Sequence, residues 1–210
     1  PPAAGGWHAR LALGFERGVA GTQLARRAHS GPLVVQKALH PEGPDVCQCI
    51  VVHPPGGVVG GDRLELDVTL GPRAHAQLTT PGATKWYRSG GRRRQQAVLA
   101  RVAADAALEW LPQGTIVFDD TLATSALRVE LAADAVFLGW DVVRLGRTAS
   151  DERFRSGEWR QRIDIVRDDA LVWSERALLR GDSALLSSPA GLYSAPVFGT
   201  FVAMATRSDD

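Results

Sequence analysis

Hydrophobic and polar residues alternate with a period of two along several stretches of this chain. The clearest runs are residues 64–70, 128–131 and 160–166. Strict alternation predicts β-strands with one face in the core and the other in solvent. Residues 49–52 are uniformly apolar and predict a short strand buried on both faces. Gly, Pro and Ser turn signals separate these runs, as in a protein made of many short strands.

Helical patterning is weak by comparison. No stretch shows an apolar stripe at helical spacing over several turns. One short helix is predicted at residues 181–188, with Asp182 as its cap. The expected fold is therefore all-β, built of stacked short strands with one or two short α-helices, in a single domain over residues 1–210.

Three segments of the chain also resemble one another. They are residues 102–110, 131–140 and 166–173, and each reads as a strand, an Asp-containing turn, a second strand and a Trp. Asp suits such turns because its side chain bonds the nearby backbone. A spacing of about 30 residues is typical of stacked repeats, which favours a β-helical, solenoid-like arrangement. Three ordinary hairpins are the alternative interpretation, and the pattern alone leaves both open.

Composition and charge narrow the class of protein. The chain has 210 residues, 45% of them hydrophobic, and a net charge of +1. This fits a globular domain with a sizeable core and disfavours a nucleic-acid or membrane-surface partner. Cys47 and Cys49 share one face of a strand, a poor geometry for a disulfide. Reduced cysteines, with no pattern of a signal peptide, lead us to expect a cytoplasmic protein.

The densest local constraint is at residues 53–62, His-Pro-Pro-Gly-Gly-Val-Val-Gly-Gly-Asp. Pro fixes φ, and Gly allows positive φ and close backbone approach. The run lacks the Lys and Ser/Thr of a P-loop, and a strand pattern follows it where a dinucleotide site needs a helix. The loop is therefore expected to specify backbone shape rather than to bind phosphate.

Candidate chemistry is sparse. No nucleophile stands in a G-x-S-x-G pattern, so covalent catalysis is not expected. Cys47, Cys49, His53 and Asp62 offer ligands for weak, transient binding of a borderline ion such as nickel, but their spacing does not fit a closed structural site. Core cysteines and a surface or capping histidine are the plainer interpretation.

Two further groups of residues invite a functional interpretation. Trp86, Tyr87 and Arg88 follow a turn and are of the types enriched in interface hot spots, with a solvated loop as the alternative. Acidic residues also stand within apolar strand contexts: Glu109, Asp141 and Glu175. A buried carboxylate needs a partner or water, so these acids either face solvent by simple alternation or line a wet cavity.

Several blocks together resemble one family. They are residues 31–37, 41–43, 53–57 with 60–62, 79–88, 108–113, 138–141 and 145–147. In these blocks the chain is similar to the urease accessory proteins UreD, also called UreH. The chain departs from the family pattern at Gln48, where a His is expected, and it stops at Asp210, short of the family's C-terminal part.

The resemblance implies a scaffold and metallochaperone without catalytic turnover. Its expected partners are the urease structural subunits and homologues of UreF and UreG. It also implies a water-filled internal path for nickel, with no tightly bound cofactor. By motif position, Asp62, Glu65, Asp141 and Glu175 are the candidate path residues, Cys47 and His53 are weaker candidates, and Trp86, Tyr87 and Arg88 are candidate partner contacts.

Two other classes stay open. A β-solenoid that binds a surface or a carbohydrate would place aromatic residues on one exposed face at the repeat period. Trp110, Trp140 and Trp173 partly follow that period. A β-rich hydrolase is the second class, which a substrate screen would reveal.

Overall fold

The computed structural model describes residues 6–205, and over this range the chain is almost entirely strand. The strands are β1 His8–Gly18, β2 Gly21–Ser30, β3 Val34–Val35, β4 Val46–Val52, β5 Arg63–Leu70, β6 His75–Thr79, β7 Thr84–Trp86, β8 Arg94–Val102, β9 Ala107–Leu111, β10 Thr115–Val117, β11 Thr121–Leu131, β12 Val136–Leu145, β13 Gly157–Arg167, β14 Ala170–Arg180 and β15 Val197–Met204. The all-β prediction is confirmed.

The helical content of this range consists of two single 3₁₀ turns, Thr148–Ser150 and Ala184–Leu186. The second lies inside the predicted helix at residues 181–188, but its cap is Ser183, whose side chain accepts from the Leu185 N–H, and not Asp182. One turn of helix is what this short Ala-Leu-Leu stretch supports, because it carries no apolar stripe to bury. The expected short α-helices are thus 3₁₀ turns.

Two sheets stack face to face. The first sheet has seven strands in the order β14-β13-β11-β8-β5-β1-β2. The second has the order β3-β4-β6-β9-β12-β10-β7, with β15 paired to β12. Pairing is parallel from β1 through β13 in the first sheet, so the chain must cross to the second sheet between successive strands. The result is a β-solenoid of about four turns.

The repeated Asp-containing segments form corners of this solenoid. Segment 102–110 joins β8 in the first sheet to β9 in the second, and segment 131–140 joins β11 to β12 in the same way. Backbone bonds from Ala107 N to Ala74 O and from Val136 N to Ala106 O stack these corners. The stacked-repeat interpretation is therefore right for two segments, whereas the third, at residues 166–173, is a true hairpin between β13 and β14.

The core lies between the two sheets. Alternate residues of each central strand point into it, as β5 shows with Leu64, Leu66, Val68 and Leu70 all buried. Cys47 and Cys49 are buried on one face of β4 and remain free thiols, as predicted.

Candidate functional site

A cavity of about 310 Å³ interrupts the packing between the sheets. Leu66, Val98 and Leu127 line it from three neighbouring strands of the first sheet, and Trp110 and Asp141 line it from the second. The loop at residues 80–83 covers one side. The cavity thus runs across several coils of the solenoid, along its axis.

Polar side chains form a row on the inner face of the first sheet. Gln96 and Ser125 line the cavity and stand opposite each other in the β8–β11 register. The next strand places Gln161 opposite Ser125. Gln161 is buried, and its Oε1 accepts from Trp159 Nε1 at 3.1 Å, while its Nε2 has no hydrogen-bond partner among the described residues. Buried amides of this kind are normally satisfied by ordered water, so the row has the chemistry of a wet interior.

Asp141 is the acid that faces the cavity. It lies on β12, and burial raises the pKa of its carboxyl group to about 6, with the negative charge of Glu175 acting in the same direction. A carboxyl group with this pKa is partly protonated near neutral pH and gains from a nearby cation.

Glu175 continues the line of acids. It lies on β14 of the first sheet, and both of its carboxylate oxygens accept from the Thr200 hydroxyl, at 2.8 and 2.7 Å. Thr200 stands opposite Asp141 in the β12–β15 register. Asp141, Thr200 and Glu175 therefore connect the cavity to the last coil of the described structure, where β14 and β15 are the outer strands.

His53 also lines the cavity, and it follows directly after β4. Neither ring nitrogen has a hydrogen-bond partner among the described residues, and both are buried. Burial lowers the pKa of the imidazole, although the charge of Asp62 partly offsets this. A neutral imidazole with free nitrogens is a competent ligand for a borderline cation.

Asp62 has a structural role in the glycine-rich loop. The side chain is 1% exposed, and its two oxygens accept from the Trp7 and Val59 backbone N–H groups, both at 2.8 Å. Arg94, also buried, donates to Val58 O at 2.8 Å and to Ser89. These bonds fix the glycine-rich loop, so the sequence-based prediction of a shape-determining loop is confirmed.

Glu65 and Cys47 also lie apart from the cavity wall. Glu65 is on the outer face of the first sheet, where Arg10 Nε approaches its Oε2 at 2.7 Å and Arg63 also pairs with it. Cys47 is buried in the core, and burial raises the pKa of its thiol, which disfavours the thiolate that a metal needs. Neither side chain lines the cavity, so neither supports a nickel path along it.

Trp86 is a core residue, which corrects its assignment as a partner contact. It is 1% exposed, and its ring packs edge-to-face on Trp159 at 5.2 Å between centroids. β7 carries alternating faces, so a tryptophan one position from an exposed lysine points inward.

Tyr87 and Arg88 belong to a surface cluster. Tyr87 packs edge-to-face on Phe118 at 4.9 Å, and the Arg147 guanidinium lies 4.2 Å from the same Phe118 ring. Arg88 and Arg147 both bind Glu152, at 3.0 and 2.7 Å. Arg147 and the other donors lower the pKa of Glu152 to about 2. The Arg88 and Arg147 side chains are 64% and 40% exposed, whereas Tyr87 is half-buried and Phe118 is buried.

The repeating tryptophans do not share one face. Trp110 is buried at the cavity, whereas Trp140 donates its indole N–H to Pro112 O, and Trp173 is 43% exposed. In the β9–β12 register Trp110 stands opposite Gly139, so Trp140 points to the other side of the sheet. An aromatic platform for carbohydrate needs a single face, and this arrangement removes its basis.

Sequence reasoning missed Gln96, Ser125, Gln161 and Thr200. Each occupies an inward position on a strand, where a polar residue breaks the apolar alternation. That break is the only signal in the sequence, and it becomes a site only when the register places the residues side by side. Within residues 6–205, no set of three or more His, Cys, Asp or Glu converges as a metal site. None of the helices described there has the length and apolarity to cross a membrane.

Comparison with known proteins gives a consistent result. The family model described as UreD urease accessory protein matches residues 8–209. The chain is similar to the urease accessory protein UreD of Dechloromonas aromatica, with 50% identity over 196 residues, 93% of this chain and 68% of that protein. For the UreD of Azoarcus sp., identity is 50% over 204 residues, 97% of this chain and 72% of the relative. For UreD 2 of Pseudomonas syringae pv. tomato it is 52% over 196 residues, 93% and 69%.

Proposed function

This chain belongs to the UreD family of urease accessory proteins, and on that premise we propose that it delivers nickel to apo-urease through its own interior. Family membership gives it a role in urease maturation. The proposal adds that the protein is a scaffold without turnover of its own, which joins the urease structural subunits to the UreF and UreG homologues.

The line of acids between the sheets carries this proposal. Asp141 faces the cavity, and Thr200 links it to Glu175 at the last coil. An acidic pair that repels itself across an interior is costly unless water or a cation is present. A structural role alone would be served as well by apolar residues, so the cost points to a cation as the transient occupant.

The available ligands suit a metal ion that is passed on rather than stored. Carboxylates and a neutral imidazole are acceptable ligands for a borderline divalent ion such as nickel. Among the described residues, Asp141 is not part of a closed set of three or more metal ligands, so an ion is held weakly. A proton leaves Asp141 as the cation arrives, because a neighbouring positive charge favours the ionised carboxylate. Weak binding and proton exchange are the properties expected of a path, and a storage site would need neither.

Tyr87, Arg88 and Arg147 are the proposed partner contacts. Arg and Tyr are enriched among the residues that dominate binding energy, and here shared contacts with Phe118 and Glu152 hold them in place. Trp86, which directly precedes Tyr87, is buried in the core.

The test is urease activation with conservative variants. Asp141→Asn and Glu175→Gln keep the shape of each side chain and remove its charge. At limiting nickel, activation by the double variant should fall at least ten-fold, while co-purification with urease and accessory partners is unchanged. Excess nickel should restore part of the activation, because transfer rather than assembly is impaired.

Asp67→Asn is the matched control, since Asp67 lies on the outer face of the first sheet with a side chain 56% exposed. It should activate normally. Full activation by the double variant at limiting nickel would rule out the path. Loss of partner binding by the double variant would assign the acids to the architecture instead.

A further inference from the structure

One polar side chain interrupts the apolar inward face of β15. Phe198, Val202 and Met204 lie on this face and pack against the core. Thr200 stands at the remaining inward position, opposite Asp141 in the β12–β15 register. A valine there would have a similar shape and no polar group to satisfy. The hydroxyl group at this position therefore needs an explanation other than packing.

The Thr200 hydroxyl joins the two sheets through Glu175. Its Oγ1 lies 2.8 Å from Oε1 and 2.7 Å from Oε2 of the carboxylate. Because a hydroxyl carries one proton, the two carboxylate oxygens share it. Among the residues that the structure describes, this hydroxyl is the one group that hydrogen-bonds the Glu175 side chain. The position of the carboxylate is thus tied to β15.

The two nearly equal distances show which side of the carboxylate the hydroxyl occupies. A point equally far from both oxygens lies in the plane that bisects the carboxylate, and a cation chelated by both oxygens lies in the same plane. Carboxylates bind metal ions either in this way or through one oxygen. The hydroxyl therefore competes with chelation. Its hydrogen bond also stabilises the negative charge of the carboxylate, which weakens the attraction of those oxygens for a cation.

The backbone keeps Thr200 in this place. Its strand pairs with β12 along its whole length, Val197–Met204. The next inward residue, Val202, is buried, and a β-branched side chain such as threonine has few rotamers. A water molecule at the same position would leave when a cation arrived, whereas the hydroxyl is part of the fold.

Given the proposed nickel path through Asp141 and Glu175, on which this depends, we propose that the Thr200 hydroxyl limits how tightly the path holds the cation. It keeps Glu175 from chelating, so the ion binds through one Glu175 oxygen and is passed on. The number and charge of the oxygen ligands set the affinity of a site for a divalent cation. Thr200 is therefore a positioning residue. Its removal should strengthen metal binding, whereas removal of either acid should weaken it.

The affinity of the purified full chain for Ni²⁺ tests this, measured by competition with a metal-sensitive fluorescent chelator. Thr200→Ala removes the hydroxyl and opens the chelating side, so it should bind Ni²⁺ about ten-fold more tightly and release it more slowly. Thr200→Ser keeps the hydroxyl and should return the affinity to that of the wild type. Thr69→Ala is the matched control, because Thr69 is exposed on the outer face of β5, and it should leave the affinity unchanged.

Two further variants assign the gain in affinity. Thr200→Val keeps the packing and removes the hydrogen bond, so it should also tighten binding, by a smaller factor, and it serves if the alanine variant does not fold. Thr200→Ala combined with Glu175→Gln should lose the gain, since an amide does not chelate the cation. At limiting nickel, urease activation by Thr200→Ala should fall below that of the wild type despite its tighter binding, because release is slower.

Three results would overturn the inference. Equal or weaker Ni²⁺ binding by the folded Thr200 variants would show that the hydroxyl does not oppose binding, and would leave the path in place. A gain that survives the added Glu175→Gln substitution would place the cation away from Glu175. Unchanged Ni²⁺ affinity in the Asp141→Asn, Glu175→Gln double variant would remove the path itself, and the role of Thr200 with it.

Discussion

At the scale of single residues, Asp141 links the chemistry of the interior to stability. The pKa of its carboxyl group is raised from 3.8 to about 6 in the folded protein, first by burial and then by the charge of Glu175. A group with a raised folded pKa binds more protons in the native state than in the unfolded state. Stability contributed by its protonated form is therefore present below pH 4 and is lost as the pH rises through about 6.

The Asp141→Asn substitution should remove this pH-dependent loss of stability. We expect the free energy of unfolding at pH 7 to rise by on the order of 1–3 kcal/mol, since one pKa unit corresponds to about 1.4 kcal/mol. Denaturant titrations of both proteins at several pH values measure this. Their difference should shrink towards zero below pH 4, and a difference independent of pH would contradict the assignment.

Trp86 gives the residue-scale test of a corrected prediction. Trp86→Ala should destabilise the domain by about 3–5 kcal/mol, because a large buried ring leaves a cavity that its neighbours cannot fill. Arg88→Ala should cost less than about 1 kcal/mol, because the Arg88 side chain is 64% exposed and Glu152 keeps its ion pair with Arg147. Thermal unfolding of the two variants distinguishes them. Similar melting temperatures would contradict the placement of Trp86 in the core.

At the scale of elements, the glycine-rich loop is held by close contacts. A Cβ on Gly57 would overlap the Tyr87 ring and lie 2.9 Å from Lys85 O. A Cβ on Gly82, in the other loop that borders the cavity, meets nothing within 4 Å. Gly57 is required here for close approach rather than for a left-handed backbone.

Gly57→Ala should therefore destabilise the protein by about 1–3 kcal/mol, the usual cost of overpacking. Gly82→Ala is the matched control and should be neutral or slightly stabilising, because it restricts the unfolded chain. Chemical denaturation of both variants measures the effect. Equal stability of the two would show that the Tyr87 ring moves aside at no cost.

The same scale shows what the sequence can predict. The strand pattern at residues 64–70 predicts β5, because one residue in two is apolar there. The sequence of residues 102–110 fits both a hairpin turn and a corner of the solenoid, because both use Asp in the same backbone conformation. Asp105, at a corner, has a φ of 57°, and Asp168, in the hairpin, has a φ of 48°. The choice depends on whether the next strand pairs with the previous one or crosses to the other sheet, and local residues do not encode that.

The candidate site likewise contains features that the sequence predicts and features that it does not. Asp141 and Glu175 were predicted as path residues from family motifs, and the structure brings both to one line through Thr200. Asp62 stood in an equally specific motif but serves the backbone. A carboxylate in a motif does not reveal whether backbone N–H groups will occupy its oxygens, because those donors come from positions as distant as Trp7.

At the scale of the whole molecule, stability should be graded along the solenoid axis. Each coil contacts mainly its neighbours, so the central coils are supported on both sides and the outer ones on one. We expect amide hydrogen exchange to be slowest in β8, which lies in the middle of the first sheet, and fastest in β14 and β15. Exchange followed by mass spectrometry on peptide fragments measures this gradient. Uniform protection across all strands would show that the domain opens only as one unit.

The stacked corners have a consequence for distance. Neighbouring strands of a sheet lie about 4.8 Å apart, so each coil lifts the chain by that step. The cavity spans β5, β8 and β11, which is two steps or roughly 10 Å, and Glu175 lies beyond it on β14. The length of the interior along the solenoid axis is thus set by the number of coils. A relative could change this length only by adding or removing a complete coil.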